Sequence, residues 1–301
     1  MSVLKTATDD TLRETILHGD IRYPFAFYLE DIWQFDFHCI DWHWHNEFEF
    51  VYVREGTALC SVGSEKTELQ SGFGIFINSG TLHRFEAYKS TIIPNIVFSP
   101  ALLAPEESLI YEKYIRPVIR SATPYMTLSP DIKWQDSILK LLKKVFMLQE
   151  SEYKNELCTL QFLLQIFDIM TEHSDFSSGS RCYRQLNSRQ AKLQLMMQYI
   201  QGHYEQDLSL DQIAESAALS ISGALHIFQS AIHIPPVAYL IQYRLKLAAQ
   251  QLRTTEKPVS SIAEETGFRS SGYFCRKFRQ HYHMTPNKYR KMKTEKQILF
   301  C

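Results

Sequence analysis

The sequence predicts an α+β chain of more than one domain. A β-barrel with a helical hairpin comes first, and an all-α domain with two helix-turn-helix units follows. Three observations carry this. Short strand-like runs separated by Gly, Ser and Asn turns fill residues 20–99, as in barrels and sandwiches. After Pro105 the apolar period lengthens to three and four residues, the spacing of one helix face. Near the end, Val259 to Arg290 reads as helix, tight turn, helix and a Thr285-Pro286 stop.

The elements follow in order. FEFVYVRE, TALCSVG and GFGIFINSG are the clearest strands. SLIYEKYIRPVI begins the helical stretch, and SATPYMTLSP reads as a loop. Ser129 is placed to cap a helix over 130–150 with Pro130 at its first position, where a missing N–H costs nothing. Ile138, Leu141, Leu142, Val145 and Phe146 form its apolar face. A second helix, about 155–173, carries Leu157, Leu160, Leu164 and Phe167. This pair either props the β domain or forms a dimer seam. The Ser/Gly-rich segment 176–188 reads as a linker. Beyond it, Ser209 and Gln212 make a capping box, a helix is expected from Ser220 to Ala231, and residues 236–252 form a long connecting helix. The expected domains are 1–104, 105–175, 176–188 and 189–293.

Bulk properties agree. At 301 residues two domains are expected, and 45% hydrophobic content is enough for ordinary cores. There is no run of eighteen apolar residues, so a membrane partner is not expected. The first twenty residues lack the apolar stretch of a signal peptide. The six cysteines show no CxxC spacing, which favours reduced thiols and a cytoplasmic location. The net charge of −1 hides a dipole: residues 186–301 hold 15 basic and 8 acidic side chains, residues 1–185 hold 17 and 25. A basic half beside an acidic half fits a nucleic-acid-binding domain attached to something else.

In the last unit Gly267 can take positive φ in the turn, Ala263 lets two helices approach, and Phe268, Phe274 and Phe278 supply a core. The pattern IAxxxGFxxxxYFxxxF with TPxxYR, behind a weaker first unit, resembles the AraC/XylS family of bacterial transcription regulators over about the last hundred residues. The resemblance implies two helix-turn-helix units joined by a long helix and reading neighbouring major-groove segments of double-stranded DNA. Departures from the family pattern are His283 and Ala218 at turn positions usually held by Gly, with Ala224, Leu225 and His226 in the first unit. The units also differ in charge. Residues 191–243 hold one basic and four acidic side chains, residues 244–301 hold 13 and four. Phosphate neutralisation dominates DNA affinity, so the second unit is expected to carry most of it. The expected contacts are Ser222, Gly223, Leu225 and His226 in the first unit. In the second they are Arg269, Ser270, Ser271, Tyr273, Arg276, Lys277 and Arg290.

The other informative segment is DWHWHNEFEFVYVREG. On an extended strand His43, His45, Glu47 and Glu49 share one face, and Trp42, Trp44, Phe48 and Phe50 the other. The spacing from His43 to Gly56 resembles the first cupin motif, and GFGIFINSGTLH the second. Asn78 stands for a usual Pro, Ala87 for a usual Asn, and the upstream Gly of the first motif is missing. The resemblance implies a cupin-like effector-sensing barrel with metal-ligand counterparts at His43, His45, Glu49 and His83. Three imidazoles and a carboxylate suit a divalent transition metal such as Zn, Mn, Fe, Ni or Cu. Two other readings stay open: a metal-free pocket for a small-molecule effector, formed by these residues with Trp44 and Glu47, or a strand facing solvent. A carbohydrate effector stacking on Trp44 rests on family analogy alone.

The leading reading is therefore an effector-controlled transcription regulator with no catalytic residues. Its expected partners are DNA, a small molecule, a second copy of the chain and RNA polymerase. The rival is a cupin enzyme carrying a DNA-binding tail. No phosphate-cradling Gly loop, nucleophile elbow or Cys/His finger spacing supports other chemistry.

Overall fold

The computed structural model describes residues 6–9, 12–63, 65–152, 155–176, 180–232 and 234–291. The chain divides into two compact units after Gln190.

The first unit contains two antiparallel sheets. Strands β1 (Phe25–Asp31), β2 (Cys39–His43), β3 (Phe48–Tyr52), β4 (Thr57–Val62), β5 (Glu65–Gln70), β6 (Gly74–Ile77), β7 (His83–Ala87), β8 (Ile92–Phe98) and β9 (Tyr125–Leu128) assemble as β1-β8-β3-β6-β9 and β2-β7-β4-β5. Between the sheets lies a core that includes Val51, Val53, Ile75 and Ile77 from one and Cys60, Leu69 and Phe85 from the other. This is a cupin-like barrel, as expected. The five-stranded sheet is covered on its outer face as well. Phe48, Phe50, Phe76 and Phe98 pack there against Leu142, Phe146, Leu163 and Phe167. Those residues belong to α2 (Lys133–Glu150) and α3 (Glu156–His173). Burial on both faces explains why every residue of β3 is buried, where one-sided strands alternate. The helical hairpin thus packs against the barrel.

Four local expectations are corrected. The segment TPYMTL is not all loop: β9 pairs with β6, Gly74 opposite Leu128 and Ile77 opposite Tyr125. Only that long-range pairing makes it a strand. Ser129 does not cap α2, which starts at Lys133 with Ile132 before it and no side-chain cap. The Ser129 hydroxyl instead accepts the Asp131 N–H at 3.2 Å, within the turn made by Pro130. From Ser180 the expected linker is helical: α4 spans Ser180–Gly202, and residues 180–188 contain no Gly or Pro to interrupt it. Finally, His43, His45 and Glu49 do not lie on one strand. The chain leaves β2 at His43 and enters β3 at Phe48, and these strands belong to different sheets.

The segment 109–123, helical as far as Ile119, is also tied to the barrel. A π-helical turn (Tyr111–Ile115) leads into the short helix α1 (Arg116–Ile119). Asn78, standing where cupins usually have Pro, is buried and donates to the Val118 and Thr123 carbonyls at 2.7 and 3.0 Å. A proline could make neither bond.

The second unit holds α5 (Leu210–Glu215), α6 (Ile221–Ile232), α7 (Pro236–Thr254), α8 (Val259–Glu265) and α9 (Ser271–Tyr282), with residues 286–291 helical after them. Ser209 and Gln212 close the capping box of α5. Ile213, Ala214, Ala224 and Phe228 fill the first helix-turn-helix core, and Ile262, Ala263, Phe268, Phe274 and Phe278 the second. The turn before α9 uses Gly267 at φ 81°; a Cβ there would lie 2.6 Å from the Tyr204 carbonyl oxygen. The two turns without glycine do enter the left-handed region, Ala218 at φ 52° and His283 at φ 55°. The described cysteines 39, 60, 158 and 275 are free thiols. No single helix among the described residues is long and apolar enough to cross a membrane.

Candidate effector site and nucleic-acid interface

The barrel brings His43, His45, Glu49 and His83 together. His43 ends β2 and stands opposite His83 at the start of β7, while Glu49 comes from β3 across the barrel and His45 from the connection between β2 and β3. All four are buried, and one ligand atom from each lies within 4.8 Å of all the others. The solvent-facing reading of this strand is therefore wrong.

The hydrogen bonds fix which nitrogen faces inward. Nδ1 of His43 lies 2.8 Å from the Asp41 carbonyl, that of His45 3.2 Å from Glu47, and that of His83 2.8 Å from Thr81. A carbonyl only accepts, so each Nδ1 carries a proton and, in the neutral ring, each Nε2 presents a bare lone pair. Backbone bonds that set the tautomer in this way are what metal-binding histidines use. The Glu49 Oε2 lies 2.9 Å from His83 Nε2 and 3.4 Å from His45 Nε2, within ion-pair reach. Neither contact has hydrogen-bond alignment, and all three atoms lack a hydrogen-bond partner. The distances therefore record convergence on a shared point and not a set of satisfied bonds. Lone pairs converging in a buried place repel unless a cation or a proton lies among them.

The titration behaviour agrees. Burial, aided by the neighbouring His83 charge, pushes His43 down to about 4, so it is neutral at pH 7. Burial also opposes ionisation of Glu49, but the close approach and charge of the His45 and His83 rings hold its carboxyl well below the usual range. For His83, burial disfavours the cation, while Glu49 and the Thr81 carbonyl outweigh it and raise the pKa. An ionised carboxylate beside imidazole nitrogens is a donor set that suits a divalent cation. In its absence a proton on His83 serves.

The tetrad opens on a cavity of about 250 Å³, whose lining includes His43, His45 and Glu49. Its other polar wall was not foreseen: Glu14, His18, Tyr28, Glu30 and Asn95. His18 lies between the Tyr28 hydroxyl, 3.0 Å from Nδ1, and Glu14, 3.2 Å from Nε2. Asn95 donates to Glu30 at 2.8 Å. Burial pushes Glu30 up to about 7, despite Asn95, and Tyr28 up to about 12. The signal was present in part. Asn95 is the only polar residue of IIPNIVF, and in the register Tyr28↔Asn95 it points to the same side as Val97 and Glu49. Among the described residues, the lining does not include Trp44 or Glu47. Trp44 pairs its backbone with Leu12 and Glu14, and the Arg13 guanidinium sits 5.7 Å from its ring centre.

Family comparisons match both units. A helix-turn-helix domain model covers residues 213–292 and a cupin domain model residues 39–92. The chain is 30% identical over 288 residues to YdeC, an uncharacterized HTH-type transcriptional regulator of Bacillus subtilis, covering 94% of this chain and 97% of that one. The chain belongs to the AraC family of transcription regulators. Another similar family member is the melibiose operon regulatory protein of Escherichia coli K12, 25% identical over 266 residues and 86% of each chain. Among solved structures, a Chromobacterium violaceum regulator with an AraC-type DNA-binding domain is 28% identical with a TM-score of 0.34, covering 36% of this chain and 96% of that one.

In this AraC-family regulator α6 and α9 are the second helices of the two units. Ser222, Leu225 and His226 are exposed on α6, and Gly223 is half-buried. Ser270 caps α9, its hydroxyl accepting the Tyr273 N–H at 3.4 Å. Ser271, Tyr273 and Arg276 are exposed along α9, with Arg276 and Lys277 both against the Tyr273 ring. Two expected contacts are engaged within the protein. Arg269 forms an ion pair with Asp207. Arg290 donates to the Lys257 carbonyl at 2.5 Å, bracing the terminal helix against the start of α8. Sequence reasoning also passed over Arg244 of α7. It donates to the Tyr204 and Gln206 carbonyls at 2.7 Å each and lies over Phe268, joining the approach to the first unit to the turn of the second.

Proposed function

We propose that this AraC-family regulator is controlled by a small polar molecule in the barrel cavity, bound beside a divalent cation held by His43, His45, Glu49 and His83. The carrying observation is the convergence of buried, inward-facing nitrogen and carboxylate lone pairs within 4.8 Å at the wall of a cavity. A cation there would polarise an oxygen of the effector. Glu30 and Asn95 would then receive hydrogen-bond donors from its other end, since buried polar groups need partners. About 250 Å³ is below the usual range for drug-sized ligands and suits a small metabolite. A carbohydrate fits the hydroxyl chemistry of that wall, although the cavity lining gives no support to stacking on Trp44.

Effector binding would act on DNA affinity through a coupling of about 1–3 kcal/mol, with the second helix-turn-helix carrying most of the phosphate attraction. A second copy of the chain and RNA polymerase are the further partners proposed. The metal-free reading has one observation behind it: protonated His83 can neutralise Glu49 unaided. Elemental mass spectrometry of untagged protein separates the two. We expect about one transition-metal ion per chain, lost in His83→Ala. Negligible metal in both proteins would leave the metal-free pocket, and turnover by a loaded protein would favour the enzyme.

A further inference from the structure

The two candidate reading helices are chemically opposite, and the capping serines put them in register. The Ser220 hydroxyl accepts the Gly223 N–H at 3.2 Å, as Ser270 accepts that of Tyr273. Three residues separate donor from acceptor in both, so Ile221 of α6 corresponds to Ser271 of α9, Leu225 to Cys275 and His226 to Arg276. The buried positions agree, Ala224 with Phe274 and Phe228 with Phe278.

On α6 the exposed positions include Ile221, 41% accessible, and Leu225, 36% accessible. Four residues apart, they share one helix face. Residues 220–243 contain no Lys or Arg, so this face offers phosphate no permanent cation. One exposed aliphatic residue is ordinary. A pair at the start of a recognition helix is placed where base edges are met. Gly223 adds an independent sign. The nearest atoms its Cβ would meet belong to Leu219 and Ser220, at 3.4 Å or more. No packing inside the chain requires a glycine there, although glycine weakens a helix. A bare backbone at that place lets the helix approach a groove floor closely.

We propose that α6 reads thymine methyl groups in the major groove through Ile221 and Leu225, while α9 reads the neighbouring segment through polar and cationic contacts. The thymine C5-methyl is the one apolar group that a base presents in that groove. The operator is accordingly bipartite, with thymines under α6. This rests on the DNA-binding reading of the family.

The test starts with selection of full-length chain on a random duplex library at fixed salt. In the enriched site each thymine is then replaced by deoxyuracil, which removes only the methyl group. In the segment read by α6, replacement is expected to weaken binding about three- to tenfold, the scale of one or two buried methyl groups. The same replacement in Leu225→Ala and Ile221→Ala is expected to change binding less than about twofold. Both side chains are exposed, so these variants keep the core, and retained binding to the α9 segment verifies their fold. Equal affinity of wild type for thymine and uracil sites overturns the proposal and leaves the face to a protein partner. Enrichment of a site without thymine in that segment overturns it too. Failure to enrich any sequence removes the DNA reading itself, and the proposal with it.

Discussion

Glu30 is the residue whose behaviour is most directly checkable. Burial raises its pKa from 4.5 to about 7. A raised acid favours the protonated form in the folded state, so its contribution to stability is complete below about pH 4.5 and is lost as pH rises through about 7. The shift corresponds to at most about 3 kcal/mol, nearer 1–2 once cavity water screens it. Glu30→Gln keeps the shape and cannot ionise. Urea unfolding of both proteins at pH 5 and pH 8 should show the variant gaining about 1–2 kcal/mol relative to wild type at the higher pH. A constant difference would mean that Glu30 titrates normally. The metal-ligand counterparts were legible at this scale because HxHxxxE and a later His have a fixed spacing. The Glu30 wall was not, because its polar residues come from separate segments and meet only through strand register.

At the scale of elements, turn chemistry decides. Ala218 sits at φ 52°, where a side chain costs about 1–2 kcal/mol and glycine does not. Ala218→Gly is expected to stabilise the second unit by about 1 kcal/mol, read as a rise of a few degrees in melting temperature. Gly267→Ala should do the reverse. Its Cβ would meet the Tyr204 carbonyl and the Arg244 side chain, costing about 2 kcal/mol or more. Equal melting temperatures for both variants and wild type would contradict the turn geometry. Helix periods, the Ser209 capping box and the positive-φ turns could all be read from neighbouring residues. Strand β9 could not, since only pairing with β6 makes it a strand, and the start of α4 at Ser180 is hidden by the Ser/Gly run that precedes it in sequence. The extended HxHxE strand failed for a related reason. Alternation shows which side chains share a face only while the strand continues, and this one changes sheets after His43.

For the whole molecule, the charge dipole along the chain and the unequal reading helices point to a division of labour. Arg276→Ala should cost about 1–3 kcal/mol of discrimination at one base pair, measured with duplexes that vary only there. Unchanged specificity would leave Arg276 as a solvent-facing side chain stacked on Tyr273. The Arg269–Asp207 ion pair is exposed and should contribute less than about 1 kcal/mol, so Arg269 stays available to phosphate at little cost.

In the proposed function the barrel tetrad governs DNA binding from a cation-loaded site. The most direct measurement is the affinity of the full chain for a selected operator, at one salt concentration, before and after metal removal by chelation, with metal restored as the control. The expected result is a reversible change of about 5- to 150-fold, absent in His83→Ala. Identical affinities for loaded, stripped and restored protein would contradict it.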